Sequence, residues 1–119
     1  MTGAPDQRFR RGDRLLHKSE FDRAFEGGRK AFVRGLVVYV HDGAIGHPRI
    51  GLVTSRKFGN AVRRNRARRL LREAFRLEKG ALPPLDIVAL PQPGRFPDHR
   101  DLVRAVLVEA VARAARGRR

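Results

Sequence analysis

The sequence predicts an α+β fold, a single domain in which a sheet of about four strands is packed with three helices. Three observations carry this. The chain has 119 residues, enough for one modest core and too few for two. Residues 60–79 and 98–112 repeat apolar side chains at helical spacing. Residues 30–41, 49–55 and 85–90 are instead rich in β-branched and aromatic types. The predicted order is α-β-β-β-α-β-α, with the first strand region broken near Arg34 and Gly35.

Each element has a local reason. Residues 1–13 are polar and charged, with Pro5 and Gly12, and are expected to form a flexible basic arm ahead of the folded domain, 14–112. Ser19 followed by Asp22 resembles a helix N-cap. Phe21, Ala24 and Phe25 then fall at i, i+3 and i+4, and Gly27 and Gly28 stop the helix. The strands over 30–41 and 49–55 flank a loop containing Asp42, Gly43, Gly46 and Pro48, and pairing them as a hairpin is the simplest connection.

Asn60 is the candidate N-cap of the next helix. Ala67, Leu70, Leu71, Ala74, Phe75 and Leu77 line one of its sides, and Gly80, Pro83 and Pro84 end it. A strand over 85–90 follows, then a proline-rich loop over 91–97. Asp98, with Asp101 three residues on, is the expected cap of the last helix. Leu102, Val103, Val106, Leu107, Ala110 and Val111 form that helix's apolar stripe. Residues 113–119 are expected to be a frayed basic tail.

Charge narrows the function. Lys and Arg number 27 against 12 Asp and Glu, for a net charge of +15, and all but four of the cations are Arg. Hydrophobic residues still make up 41% of the chain, enough to bury a core. So large a self-repulsion calls for a polyanion. Guanidinium groups grip phosphate at two points and stack on bases. There is no Trp, and the charge is spread over several segments, unlike the single amphipathic helix of a membrane-surface protein. Nucleic acid is the expected partner.

Other classes are excluded. With no cysteine there is no disulfide framework, Cys-based zinc site or thiol nucleophile. The longest apolar run, residues 36–40, is far short of a membrane span. Residues 1–14 carry basic groups with no hydrophobic stretch behind them, so no signal peptide is expected. The expected location is the cytoplasm, with no membrane partner.

The densest feature is the helix over 60–79. Asn65, Arg68, Arg69, Arg72 and Arg76 share an arc of roughly 100° on it, largely opposite the apolar set. A charge run is usually just a solvated face. Here only Glu73 and Glu78 are available to balance the cations, and unpaired like charges on one face destabilise a helix unless something compensates. Arg64 and Arg66 lie off this arc and can splay around the helix N-terminus, where free N–H groups and the dipole also favour phosphate.

Residues 56–75 run Arg-Lys-Phe-Gly-Asn-Ala-Val-Arg-Arg-Asn-Arg-Ala-Arg-Arg-Leu-Leu-Arg-Glu-Ala-Phe. This stretch resembles the signature of the bacterial ribonuclease P protein subunit: Gly-Asn-Ala-Val, then Arg-Asn-Arg, then more basic residues on the same helix. The resemblance spans roughly residues 8 to 112 and extends to the first helix with its two Phe, the strand with Tyr39 and the final helix. Arg56 stands where the family often has Lys, which preserves the charge.

The resemblance implies four strands, three helices and a left-handed βαβ crossover, where general rules favour a right-handed one. It implies a ribonucleoprotein endonuclease that removes the 5′ leader from precursor tRNA. The partners are then a catalytic RNA and precursor tRNA, with the protein a monomer, one per RNA. Hydrolysis then belongs to the RNA with Mg²⁺ bound mainly by that RNA, so no protein residue is assigned as catalytic or as a metal ligand. Asn60, Arg63, Arg64, Asn65, Arg66, Arg69 and Arg76 would face the catalytic RNA. Phe21, Phe25, Tyr39, Arg68 and Arg72 would hold the single-stranded leader, by apolar contact beside a basic wall. On the residues alone, a Phe pair four apart on a helix is more often plain core. Phe32 and Phe58 belong either to the core or to the cleft edge.

The remaining chemistry is sparse. His17, His41, His47 and His99 are scattered without acid partners at a telling spacing. Thr54 and Ser55 have no evident base. Asp6, Asp13, Asp42 and Asp86 form no metal-ligand spacing, and residues 43–46 lack a phosphate-loop pattern. A structural RNA-binding protein such as a small ribosomal protein is the alternative and would need no aromatic cleft. A DNA-binding protein with its basic helix in a major groove is a third reading.

Overall fold

The computed structural model describes residues 8–43 and 45–117. Its helices are α1 (Lys18–Gly27), α2 (Ala61–Glu78) and α3 (Arg100–Arg116). Its strands are β1 (Arg29–Val33), β2 (Leu36–Asp42), β3 (Arg49–Leu52) and β4 (Leu85–Pro91), and 3₁₀ turns cover Arg11–Asp13, Arg56–Phe58 and Lys79–Ala81. The α-β-β-β-α-β-α order holds.

The break in the first strand region is a tight hairpin. Arg34 and Gly35 both take positive φ, 47° and 85°, the pairing that matches the right-handed twist of the flanking strands. Gly35 is required twice over, because a Cβ there would meet the Arg95 carbonyl oxygen at 2.3 Å.

The sheet order is β1-β2-β4-β3, with β1, β2 and β4 antiparallel in turn and β3 parallel to β4. This corrects the expected hairpin between residues 30–41 and 49–55. The reason lies in β4, whose Leu85, Ile87, Val88 and Ala89 are all buried. A strand apolar on both faces belongs in the middle of a sheet, so β4 inserts between β2 and β3. The β3-α2-β4 segment is the resulting parallel crossover.

The two faces of the sheet bury different partners. Leu36, Val38, Val40, Ile50, Ile87 and Ala89 pack beneath α2 and α3. Phe75 of α2 and Leu107 of α3 are fully buried there, and truncating such a Phe costs about 3–5 kcal/mol. On the opposite face, Val88 forms a smaller cluster with Leu15 and Ala24, flanked by Phe21, Tyr39 and Leu90. Helix α1 therefore lies alone on that face and leaves part of it open.

Several boundaries differ from the sequence expectation. Ser19 lies inside α1. The cap is His17, and Glu20 accepts from the backbone N–H groups of Leu16 and His17 at 2.9 and 3.0 Å. Asp98 is not the cap of α3; His99 is, and Asp98 pairs with Arg66 instead. Strand β3 stops at Leu52. Residues 8–13 are docked rather than arm-like: Phe9 meets Phe75 edge-on at 5.9 Å, and buried Asp13 pairs with Lys79 at 2.8 Å. Helix α3 runs on to Arg116 with Ala114 fully buried, because its apolar stripe extends one turn further. The expectations for residues 1–7 and for 118–119 lie outside the described residues.

Candidate nucleic-acid interface

A groove opens along the β3 edge between α1 and α2. Its floor is Ile50, Gly51 and Leu52, and Phe21 of α1 and Arg68 and Arg72 of α2 form its walls, with Arg14 and Phe9 at one end. Phe21 lies directly across the strand: a Cβ on Gly51 would sit 2.5 Å from its ring. A glycine inside a strand often marks such a close approach, and this signal in the sequence went unread.

The open sheet face continues from the groove. Phe25 and Tyr39 meet edge-on with ring centroids 5.0 Å apart, and Phe25 is 39% exposed. Tyr39, Val88 and Gly51 lie side by side across β2, β4 and β3. The ammonium of Lys30, opposite Tyr39 on β1, stands 5.5 Å from its ring centre. Phe21, Tyr39 and Leu90 thus belong to one half-buried cluster with cations at both margins. Phe32 is on β1 with nearly half its surface exposed, while Phe58 packs against Phe96.

The structure brings Phe21, Arg68 and Arg72 into one groove and sets Phe25 and Tyr39 beside it. Arg14, which the sequence reading left in no site, completes the basic side. Burial lowers the pKa of the Arg72 guanidinium from its ordinary value, and the nearby charges of Arg14, Arg68 and Arg69 lower it further. A phosphate placed between them would relieve that repulsion.

The helix bearing the basic run is fixed from several sides. Asn60 accepts from the Arg63 N–H at 2.9 Å through its side chain, so its first role is to cap α2. Arg64 donates to the Gly59 carbonyl at 2.8 Å. Arg66 pairs with Asp98, and Arg76 with Glu73 at 2.7 Å. Among the described residues, Arg63, Arg64, Arg68, Arg69 and Arg72 take part in no ion pair. Arg63, Asn65 and Arg69 are exposed. Uncompensated charge therefore concentrates on the N-terminal half of α2.

A buried network absent from the sequence reading holds the groove's α1 wall in place. Arg49 on β3 donates to both oxygens of Asp86 on β4, at 3.0 and 2.9 Å, and to Glu20 of α1 at 2.9 Å. All three side chains are nearly fully buried. Burial works against ionisation of Glu20, but the backbone N–H groups of His17 and Leu16, with Arg49, outweigh it and hold the carboxyl below its ordinary range.

The four histidines come together in no cluster, and among the described residues no three His, Asp or Glu side chains are placed to hold a metal ion. No helix among them is long and apolar enough to cross a membrane.

Comparison with known proteins agrees with this fold. A family model described as Ribonuclease P matches residues 9–115. The ribonuclease P protein component of Chromohalobacter salexigens is 42% identical over 91 residues, covering 75% of this chain and 71% of that protein. Its counterpart from Thermotoga maritima is 38% identical over 85 residues, covering 71% and 73%. Among solved structures, the Thermotoga maritima RNase P protein aligns with a TM-score of 0.73 at 33% identity, over 81% of this chain and 92% of its own. The Staphylococcus aureus RNase P protein aligns at 0.72 and 30% identity, over 86% and 96%. The chain belongs to the ribonuclease P protein family.

Proposed function

We propose that this chain is the protein subunit of ribonuclease P and that it works with a catalytic RNA to remove the 5′ leader from precursor tRNA. Family membership supports its place in a ribonuclease and its partnership with the ribonuclease P RNA. The observation that carries the leader assignment is the groove in which Phe21 faces Arg68 and Arg72 across Gly51.

That arrangement suits single-stranded RNA. Aromatic faces accept unstacked bases of any sequence, and cations beside them track the backbone. Phe21, Phe25 and Tyr39 supply the faces; Arg68 and Arg72 supply the charge. The uncompensated Arg63, Arg64 and Arg69, with Asn65 and Arg66, turn toward the catalytic RNA. Each phosphate neutralised there releases counterions, so assembly weakens steeply with salt. One monomer per RNA then presents two RNA-facing surfaces.

The hydrolysis itself is assigned to the RNA. Mg²⁺ held by that RNA would supply an activated water and charge stabilisation for the leaving oxygen. Among the described residues the three buried carboxylates are already held by cations, Asp13 by Lys79 and Glu20 and Asp86 by Arg49. The chain's residues orient the leader and screen phosphate charge where two RNAs approach.

The test is reconstitution with a ribonuclease P RNA and precursor tRNA at low Mg²⁺. Adding the chain should stimulate leader removal, and no stimulation would overturn the proposal.

A further inference from the structure

A second pocket lies at the head of α2, away from the leader groove. It encloses about 250 Å³ between the first turns of α2, the turn at Arg56–Phe58 and the loop before α3. Ala67 and Leu70, both buried, form its floor. Phe58 and Phe96 stand in its walls, centroids 6.1 Å apart and planes at 65°. Arg63 and Arg66 line its rim, where Arg66 is paired with Asp98.

The geometry points to a receptor for one unstacked nucleobase of the partner RNA. The two half-buried rings offer a face and an edge, the combination aromatic partners prefer over a face-to-face sandwich. The apolar floor has no polar group to leave unsatisfied. The rim carries a guanidinium donor beside a carboxylate acceptor, the two functions needed to meet a base edge. The occupant is RNA rather than a peptide because the surroundings are cationic: Arg63 and Arg64 on the same turns of α2 have no ion pair among the described residues, and the whole chain carries +15. A phosphate backbone crossing α2 is thereby drawn to the pocket mouth, with one base free to turn inward.

This inference rests on the reading of α2 as the face toward the catalytic RNA, and the test separates the two. Affinity of the full-length protein for a ribonuclease P RNA is measured for Phe96→Leu, Phe96→Tyr and Arg69→Ala, with melting temperature monitored for each. Leu fills the space without a π face, and Tyr keeps the face. Stacking of one base accounts for about tenfold in affinity, so Phe96→Leu should weaken binding about tenfold, Phe96→Tyr less than threefold, and neither should change the preference for precursor over mature tRNA. If Phe96→Leu binds like the parent while Arg69→Ala binds more weakly, the helix meets RNA but the pocket receives no base, and the inference is overturned. If Arg69→Ala also binds like the parent, the underlying reading of α2 fails with it. Equal losses for Leu and Tyr would assign the pocket to packing alone and also overturn the inference.

Discussion

Nη1 of Arg49 donates to Oε2 of Glu20 at 2.9 Å inside the protein, and this contact fastens α1 to the sheet edge that floors the groove between Phe21 and Arg68. Glu20 also closes the N-terminus of α1, so one carboxylate sets both the start of the helix and its seat. Phe21 is the next residue. Its position over Gly51 is therefore governed by a buried charge network.

Removing the guanidinium strands two buried carboxylates, a loss of about 3–5 kcal/mol for such a pair. Arg49→Met should lower the melting temperature strongly. Arg49→Lys should recover only part of it, since an ammonium cannot reproduce the two-point grip on Asp86. Thermal denaturation of both variants checks this.

The depressed pKa of Glu20 sets a direction with pH. A carboxyl held below its unfolded value, about 4.3 for Glu, adds stability that is fully present above that value. The stability is lost as pH falls through the lower, folded value. Glu73, lowered by its hydrogen bond to Arg76, acts in the same sense. Melting temperature should therefore hold from neutral pH to about pH 5 and fall below it. Glu20→Gln should start from a lower melting temperature and show a shallower acid decline.

Gly51→Ala tests the groove without replacing a side chain assigned to RNA. The new methyl falls 2.5 Å from the Phe21 ring, so the ring must swing off the strand. Binding of precursor tRNA by the holoenzyme should weaken several-fold while mature tRNA binding holds. Parallel titrations of the two RNAs read the difference.

On α2, the pair between Arg66 and Asp98 is exposed, and such pairs contribute at most about 1 kcal/mol. Arg64→Ala and Arg66→Ala should impair holoenzyme assembly with little change in melting temperature. Arg69→Ala should reduce the salt slope of RNA binding by about one phosphate contact. A large drop in melting temperature for Arg64→Ala would give its bond to Gly59 a structural role instead.

How legible all this was depends on range along the chain. Helix α2 was read well because its information is local: Asn60 at the cap, an apolar period over Ala67 to Phe75, and cations on the opposite arc. The break at Arg34 and Gly35 was legible for the same reason. The strand order was not, because the apolar pattern of β4 says that it is buried and not which strands flank it. Arg49, Glu20 and Asp86 escaped notice because they lie 29 and 37 residues apart and meet only once β3 and β4 pair. Phe9 and Asp13 looked like an arm because their partners, Phe75 and Lys79, lie more than 60 residues away. Of the candidate site, Phe21, Arg68 and Arg72 share a groove, whereas Arg14 and Gly51 needed the fold to place them.

The most direct measurement compares precursor and mature tRNA affinities of holoenzymes carrying Phe21→Ala or Tyr39→Ala. Loss of a stacking face weakens precursor binding by about tenfold and should leave mature tRNA, which has no leader, nearly unchanged. Equal weakening of both, or of neither, would contradict the assignment of this aromatic groove to the leader strand.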